Sequence, residues 1–275
     1  MNKTTEVLRE KAKNLLTDGS VKVVIGYELL PNDLIAPAFI TKPEDCEKLI
    51  FNEKCYQNLT TYLTKPEVKD LGHPAIISKG CDNRAINVLI RESQIKREDV
   101  YILGVECPGM DKSVCAWCDQ FEPVTYDELI KLESPPQKSE PVEDHLKDKS
   151  PEEKWEYWLK EFSRCIKCYA CRQICPICHC VRCAAENNHP QWIDSSPHPR
   201  GNLKWNLIRA FHLAGRCVEC GECERACPME IPLSSLSRSM KELVQEKFEF
   251  VPGMNSENTA PLASFKEDDK EDFFK

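Results

Sequence analysis

Two segments in the C-terminal half of this chain repeat one arrangement of four cysteines followed by a proline. Both have the form C-x2-C-x2-C-x3-C-P, and we call residues 165–176 the first run and residues 217–228 the second run. Their cysteines are Cys165, Cys168, Cys171 and Cys175, and Cys217, Cys220, Cys223 and Cys227. At this spacing three thiolates hold three corners of one 4Fe–4S cluster, and the fourth cysteine reaches across to the other cluster. The repeat predicts two 4Fe–4S clusters and a role in electron transfer.

Two other uses of cysteine compete with this interpretation. Structural zinc also uses C-x2-C pairs, but normally as two pairs separated by a loop rather than four cysteines within eleven residues. A disulfide framework belongs to short secreted chains, whereas this chain has 275 residues and starts with a polar segment. The spacing favours clusters over both.

A second set of cysteines follows two predicted strands of the N-terminal half. Residues 75–78 and 100–105 are apolar, and Asp82 is expected to cap a helix that runs to about Glu92 between them. Strand, helix and strand predict a right-handed parallel βαβ unit, which brings the carboxyl ends of both strands to one edge. The cysteines expected to meet at that edge are Cys81, Cys107, Cys115 and Cys118. They could hold a third 4Fe–4S cluster or zinc, and the electron-transfer motifs elsewhere favour the cluster.

A third cysteine group directly follows the first run in the form C-x-C-x2-C. Its members are Cys178, Cys180 and Cys183. They could form a further cluster site with a borrowed ligand, could be buried apolar thiols, or could replace standard ligands. Cys46 and Cys55 are expected to be core residues, and His179 a bystander rather than a ligand.

The segments around these motifs divide into two domains. Residues 1–132 are expected to form an α/β domain with a parallel βαβ unit, including a helix over 4–17 and strands over 21–25 and 34–40. Further helical segments are predicted over 43–51 and 55–63. Residues 133–150 are rich in proline and charge and are predicted to be a linker. An all-α helical ferredoxin domain is predicted over 151–250, and a disordered tail over 251–275.

The predicted helices of the second domain have clear sequence signals. Ser150, followed by proline and two glutamates, predicts a capped helix with an apolar stripe formed by Trp155, Trp158, Leu159 and Phe162. The two tryptophans of this stripe are expected to pack in the core. A helix over 202–214 is expected to bury Leu203, Leu207, Ile208 and Phe211, and another helix follows Pro232 to about Phe248. The 41 residues between Cys175 and Cys217 favour a helical dicluster domain over the small β-rich ferredoxin.

The composition limits the classes of partner. The formal net charge of −8 argues against nucleic-acid binding, which normally needs a basic face. No stretch approaches the roughly 20 apolar residues that a membrane span requires. Seventeen cysteines without a secretory signal indicate a reducing, oxygen-poor cytoplasm.

Two parts of the chain resemble known families. Residues 79–85 (KGCDNRA) and 96–105 (KREDVYILGV) resemble the N-terminal region of the coenzyme F-420 hydrogenase/dehydrogenase beta-subunit family. The C-terminal half is similar to the helical dicluster domain found in the C-type subunit of heterodisulfide reductase and in succinate dehydrogenase iron–sulfur subunits. Together the resemblances imply an electron-transfer subunit that works with heterodisulfide-reductase-like, formate dehydrogenase or hydrogenase modules.

The chain departs from the first family where coenzyme chemistry would occur. Members that act on the deazaflavin carry a long flavin-binding region, and this chain has the linker and the dicluster domain in that place. It also has no glycine-rich phosphate loop, which argues against bound FAD and against a catalytic residue set. Two alternatives stay open: a flavin-containing catalytic subunit acting on a deazaflavin or nicotinamide, and a zinc-stabilised scaffold.

Overall fold

The structure is a computed structural model and describes residues 2–133, 136–137, 140, 146–183, 185–186, 190, 194, 196–265 and 267. Its strands are β1 (Val23–Leu30), β2 (Leu34–Ile40), β3 (Pro74–Ser78), β4 (Tyr101–Val105) and β5 (Glu128–Ile130). Its α-helices are α1 (Lys3–Thr17), α2 (Pro66–Lys69), α3 (Gly80–Arg91), α4 (Pro151–Ser163), α5 (Ala170–Gln173), α6 (Pro199–Leu213), α7 (Glu222–Arg225) and α8 (Leu233–Phe248). An α/β region therefore precedes a helical region, in the predicted order.

Within residues 2–133 the strands form one sheet in the order β2-β1-β3-β4-β5. β1 and β2 form an antiparallel hairpin, and β1, β3, β4 and β5 are mutually parallel. The pairing of Ala75 with Tyr101 joins β3 to β4 across α3, so the βαβ prediction is confirmed. β1 continues past the predicted residues 21–25 because its hairpin pairing extends to the turn at Pro31–Asp33. Pro37 is tolerated because β2 is an edge strand.

α1 covers the sheet and confirms the helix predicted over residues 4–17. Asn2 caps its first turn, and its inner face buries Leu8, Ala12 and Leu15. Burying each leucine fully contributes roughly 1.5–3 kcal/mol, so this face holds the helix on the sheet.

The two segments predicted as longer helices form short 3-10 helices instead, over Pro43–Lys48 and Leu59–Tyr62. In the segment Leu59–Tyr62, hydrogen bonds to α3 take the place of the backbone hydrogen bonds that a longer helix would make. The Leu59 amide donates to the Asp82 carboxylate at 2.7 Å, and the Thr60 hydroxyl donates to the Asp82 carbonyl oxygen at 2.9 Å. Tertiary bonding therefore overrides the local helical pattern.

The start of α3 differs from the prediction. The helix begins at Gly80, two residues before the predicted cap Asp82, and Lys79 is its N-cap. Asp82 is the third helical residue and its carboxylate accepts the Lys79 amide at 3.1 Å. Gly80 is required because a Cβ there would collide with the Gln120 carbonyl oxygen.

In the helical region, α4 begins as predicted, but the buried faces are partly different. Ser150 accepts the Glu153 amide in a capping box, and Phe162 is fully buried. Trp155 is 48% exposed, so its predicted core role is wrong, and Leu159 on the same stripe is 38% exposed.

α6 also buries a different face from the predicted one. Phe211 is 62% exposed, which corrects the predicted stripe, while Trp205 and Asn202 are buried. Asn202 is buried because its amide donates to the Cys165 carbonyl oxygen at 2.6 Å, so α6 turns a polar side chain towards the first run.

The segment after α8 packs back on α3. The Arg84 Nε and the Asn87 side chain donate to the carbonyl oxygens of Pro252 and Gly253, both at 2.9 Å, and Ala260 is 4% exposed. Residues 252–260 therefore contrast with the disordered tail expected from composition. Half of the predicted linker, namely 134–135, 138–139 and 141–145, lies outside the described residues, as do 266 and 268–275. None of the described helices has the length and apolar character to cross a membrane.

Candidate metal centres

The two cysteine runs fold into the same backbone conformation. In each, the residues on either side of the second cysteine have positive φ: Lys167 (51°) and Tyr169 (59°), and Glu219 (58°) and Gly221 (69°). The amides of Lys167 and Glu219 donate to the sulfurs of Cys165 and Cys217, each at 3.4 Å. A one-turn helix follows in both cases, α5 or α7. The sequence repeat is therefore also a structural repeat.

The fourth cysteine of each run lies beside the other run. Burial raises the pKa of the Cys171 thiol to about 12, and Cys227 of the second run is among its neighbouring thiols. Burial likewise raises the pKa of Cys217 to about 12, and its thiol neighbours are Cys223 and Cys175. This is the neighbourhood that two clusters with exchanged fourth ligands require.

The four N-terminal cysteines line one cavity at the carboxyl edge of the sheet. They are Cys81, Cys107, Cys115 and Cys118. Cys81 lies in the first turn of α3 after β3, and Cys107 follows β4. Burial raises the pKa of the Cys81 thiol well above its ordinary value and that of Cys107 to about 11. The crossover geometry accounts for this juxtaposition, since each cysteine follows a neighbouring parallel strand.

This cavity is also lined by the second run. Val218 and Cys220 form part of its wall, and Cys81 is one of the thiols near Cys220. Lys112 fixes the contact, because its Nζ donates to the Cys220 carbonyl oxygen at 3.0 Å and lies 2.9 Å from the Glu222 carboxylate. The N-terminal cysteine site and the second run are thus immediate neighbours.

The third cysteine group lines a different cavity, on the side of α6. Cys178, Cys180 and Cys183 share it with Arg172, Arg209 and Arg216. Cys178 hydrogen-bonds Cys175, and this bond holds the pKa of Cys175 below its ordinary range. Cys183 packs instead with cysteines of both runs, and Cys180 is exposed. In the part of the chain that the structure describes, no three Cys, His, Asp or Glu side chains are arranged around a single metal ion.

The remaining expectations concern residues outside these sites. Cys46 and Cys55 are 1% and 0% exposed in the core of the α/β domain. His179 lies between two cysteines of the third group in the sequence, but its Nε2 lies 2.9 Å from the Glu92 carboxylate. Arg216 donates to the same carboxylate through Nε at 2.6 Å, so Glu92 ties α3 to the helical region.

Sequence reasoning missed two cations beside the cysteines, of which Lys79 is fully buried and Arg209 is partly buried. Lys79, which is 1% exposed, lies 2.7 Å from the Asp82 carboxylate and lines the cavity of Cys81. Arg209 of α6 lies between the two runs, beside Cys171 and Cys223. Lys79 could have been found from the Lys79-Gly80-Cys81-Asp82 segment, where it stands three residues before an acidic partner. Nothing in the sequence pattern of α6 distinguishes Arg209.

Comparison with known proteins agrees with the cysteine repeat of the two runs. Residues 161–231 match the family model of a 4Fe-4S dicluster domain. The chain carries a 4Fe–4S dicluster domain.

Part of the chain is also homologous to formate dehydrogenase subunits. Over 128 residues, 46% of this chain, it is 36% identical to the F420-dependent formate dehydrogenase subunit beta of Methanocaldococcus jannaschii. Over 114 residues, 40% of this chain, it is 36% identical to the F420-dependent formate dehydrogenase 1 subunit beta of Methanococcus maripaludis. The matches span 31% and 29% of those proteins, under a third of their length.

The residues present fit iron–sulfur clusters. The donor set is made of thiols, which are the ligands of 4Fe–4S clusters. Backbone amides already point at cysteine sulfurs in each site, since the Gln120 amide donates to Cys118 at 3.4 Å as Lys167 and Glu219 do in the two runs. Such bonds stabilise thiolate over thiol, as cluster ligation requires.

Proposed function

We propose that this protein is an electron-transfer subunit of a cytoplasmic, anaerobic redox complex, with three iron–sulfur centres arranged in a row. The observation that carries the proposal is that Cys220 of the second run lines the same cavity as the four N-terminal cysteines. A centre there would adjoin the dicluster domain and extend its electron path.

Three sets of thiolates would hold the centres. The N-terminal set is Cys81, Cys107, Cys115 and Cys118; the middle set is Cys217, Cys220, Cys223 and Cys175; the outer set is Cys165, Cys168, Cys171 and Cys227. Bound 4Fe–4S clusters supply one-electron transfer. The chain's own contribution is to keep the sets close, through the interleaved runs and the Lys112 contact.

The outer set is the candidate site of exchange with a partner subunit. Cys168 is exposed, and the neighbouring Ile166 is 55% exposed, whereas Cys107 at the other end is buried. We infer that residues 151–250 are an all-α helical ferredoxin domain like that of the C-type subunit of heterodisulfide reductase. The partners would be formate dehydrogenase, hydrogenase or heterodisulfide-reductase-like subunits, in line with the partial homology to formate dehydrogenase β subunits.

The N-terminal set is proposed to hold a cluster rather than zinc. Its four sulfurs line a cavity, and a structural zinc ion needs all four within about 2.3 Å of one point. A cubane cluster instead takes one thiolate at each corner, so its ligands stand further apart.

Metal analysis of the anaerobically purified full chain tests this function. Three clusters predict about twelve irons with matching acid-labile sulfide, and no stoichiometric zinc. Cys118→Ser should remove about four of those irons, while Cys46→Ala, outside all three sets, should keep them. Zinc in place of the third set of irons would overturn the relay of three centres, and iron near four would overturn the dicluster assignment as well.

A further inference from the structure

One partly buried cation, whose Nε atom is fully buried, lies between the two cysteine runs. Arg209 belongs to α6, and its Nη2 donates to the Cys171 carbonyl oxygen at 3.1 Å. The Cys223 thiol is another of its immediate neighbours. Cys171 and Cys223 are the third cysteines of their runs, so one side chain contacts equivalent positions of both.

Among the described residues, no carboxylate pairs with the guanidinium of Arg209. Arg172 and Arg216 line the same cavity, but they pair with Glu186 at 2.8 Å and with Glu92 at 2.6 Å. Arg209 has no such partner among the residues that the structure describes, and its Nε is buried without a hydrogen-bond acceptor. The potential anions nearest to it are thiols, namely Cys223, Cys175, Cys178 and Cys171.

A buried charge is costly unless an opposite charge accompanies it. Neutral thiols would leave the guanidinium uncompensated, whereas thiolates bound to iron would compensate it. A 4Fe–4S cluster with four thiolates is an anion, and its net charge is one of the factors that set its reduction potential. A fixed cation beside it favours the more negative, reduced state.

We propose that Arg209 is the charge-balancing residue of the dicluster domain, which stabilises both clusters and raises their reduction potentials without binding iron. This inference rests on the proposed function, because it requires clusters in the two runs. Arginine suits the role since it stays protonated at all working pH values and donates to several acceptors in fixed directions. Arg209 is a positioning and tuning residue, not a ligand.

The test compares full-length protein purified without oxygen: wild type, R209M, R209K and the control R200M. Arg200 lies on the same helix and is exposed. Each is assayed for iron and sulfide, and then titrated potentiometrically with electron paramagnetic resonance detection. In R209M the reduced-to-oxidised ratio of the clusters at a fixed ambient potential should fall at least tenfold, equal to about 59 mV for a one-electron couple. R209K should stay near wild type, and R200M should match it.

Each outcome decides the proposal. If R209M keeps its iron and its clusters have the same reduction potentials as those of the wild type, the proposal is overturned. If R209M loses iron, retention of iron by R209K supports charge balance, and loss of iron by R209K as well overturns it, because charge alone then does not suffice. The iron content of the wild type decides the proposed function separately, so the two failures can be distinguished.

Discussion

Lys79 and Asp82 bury two opposite charges together beside Cys81. Their side chains are 1% and 0% exposed and lie 2.7 Å apart. Asp82 accepts two backbone amides in addition, from Leu59 and Lys79, so its carboxylate is held in one orientation. Lys79 further donates to the Gln57 carbonyl oxygen at 3.0 Å. This network fixes the start of α3, and with it the position of Cys81.

Asp82→Asn should destabilise the protein strongly, because it leaves the Lys79 ammonium buried without its counter-charge. The expected loss is about 3 kcal/mol in the free energy of unfolding. Denaturant unfolding of the iron-loaded chain measures it, with Asp70→Asn at an exposed position as the matched control. Equal unfolding midpoints for the two variants would contradict the buried pair.

We expect the contact that Glu92 makes between α3 and the helical region to depend on pH. Hydrogen bonds from Arg216 and His179 outweigh burial and lower its pKa from 4.5 to about 2. The folded state therefore gains stability above about pH 4.5 and loses that gain as the pH falls from 4.5 towards 2.

Glu92→Gln removes this titrating group, so the variant should be less stable than wild type at pH 7. The difference should shrink by about pH 4, as measured by urea unfolding at both pH values. A difference that grows on acidification would show that the sign is wrong.

At the scale of elements, the close approach of the second run to Val114 depends on one glycine, Gly221. Gly221 has φ +69°, and a Cβ there would stand 2.6 Å from Val114 Cγ2. The equivalent position of the first run holds Tyr169, whose φ is 59°. The backbone conformation therefore tolerates a side chain, and it is the approach of Val114 that excludes one.

Gly221→Ala should cost about 1–3 kcal/mol and lower the iron content, because the clash pushes Cys220 away from the N-terminal cavity. Gly215→Ala is the matched control, since Gly215 has the same φ of +69° but its Cβ would meet nothing closer than 3.6 Å. Thermal unfolding and iron analysis of both variants separate the clash from the backbone strain. Identical behaviour of the two would argue against the Val114 contact.

Helix existence was predictable at this scale, and helix orientation was not. The capping box at Ser150 and the apolar pattern of α1 are local signals, so both helices were found. Apolar side chains are usually buried, so the sequence predicts Trp155 of α4 and Phe211 of α6 in the core, and both are exposed. α6 instead buries Asn202, whose amide donates to the Cys165 carbonyl oxygen. The face that α6 buries therefore depends on which backbone acceptors of the cysteine loops need a hydrogen-bond donor.

At the scale of the whole molecule, the segment after α8 returns to α3, where the α/β region contacts the helical region. Arg84 and Asn87 of α3 donate to the carbonyl oxygens of Pro252 and Gly253. A Cβ at Gly253 would collide with the Arg84 carbonyl oxygen, so the two segments are in close contact. The segment thus covers the same helix whose Ala85 and Val88 pack against the second run.

Truncation after Phe250 should therefore lower the melting temperature, since it leaves buried donors of Arg84 and Asn87 without acceptors. Truncation after Phe265 keeps these contacts and should leave the melting temperature close to that of the full chain. Differential scanning fluorimetry of the iron-loaded proteins measures both. If the protein truncated after Phe250 has the same melting temperature as the full chain, the segment after α8 does not contribute to stability.

The cysteine spacing by itself determined the dicluster domain, because ligation of a 4Fe–4S cluster demands three thiolates on one tight turn and a fourth nearby. The alternation of strand and helix likewise determined that Cys81 and Cys107 meet, since neighbouring parallel strands end at one edge. Only the tertiary structure decided that Cys220 adjoins Cys81, that Arg209 has no carboxylate partner among the described residues, and that Gly253 packs on α3. These relations join residues far apart in the chain, and they depend on how the α/β and helical regions pack rather than on any local pattern.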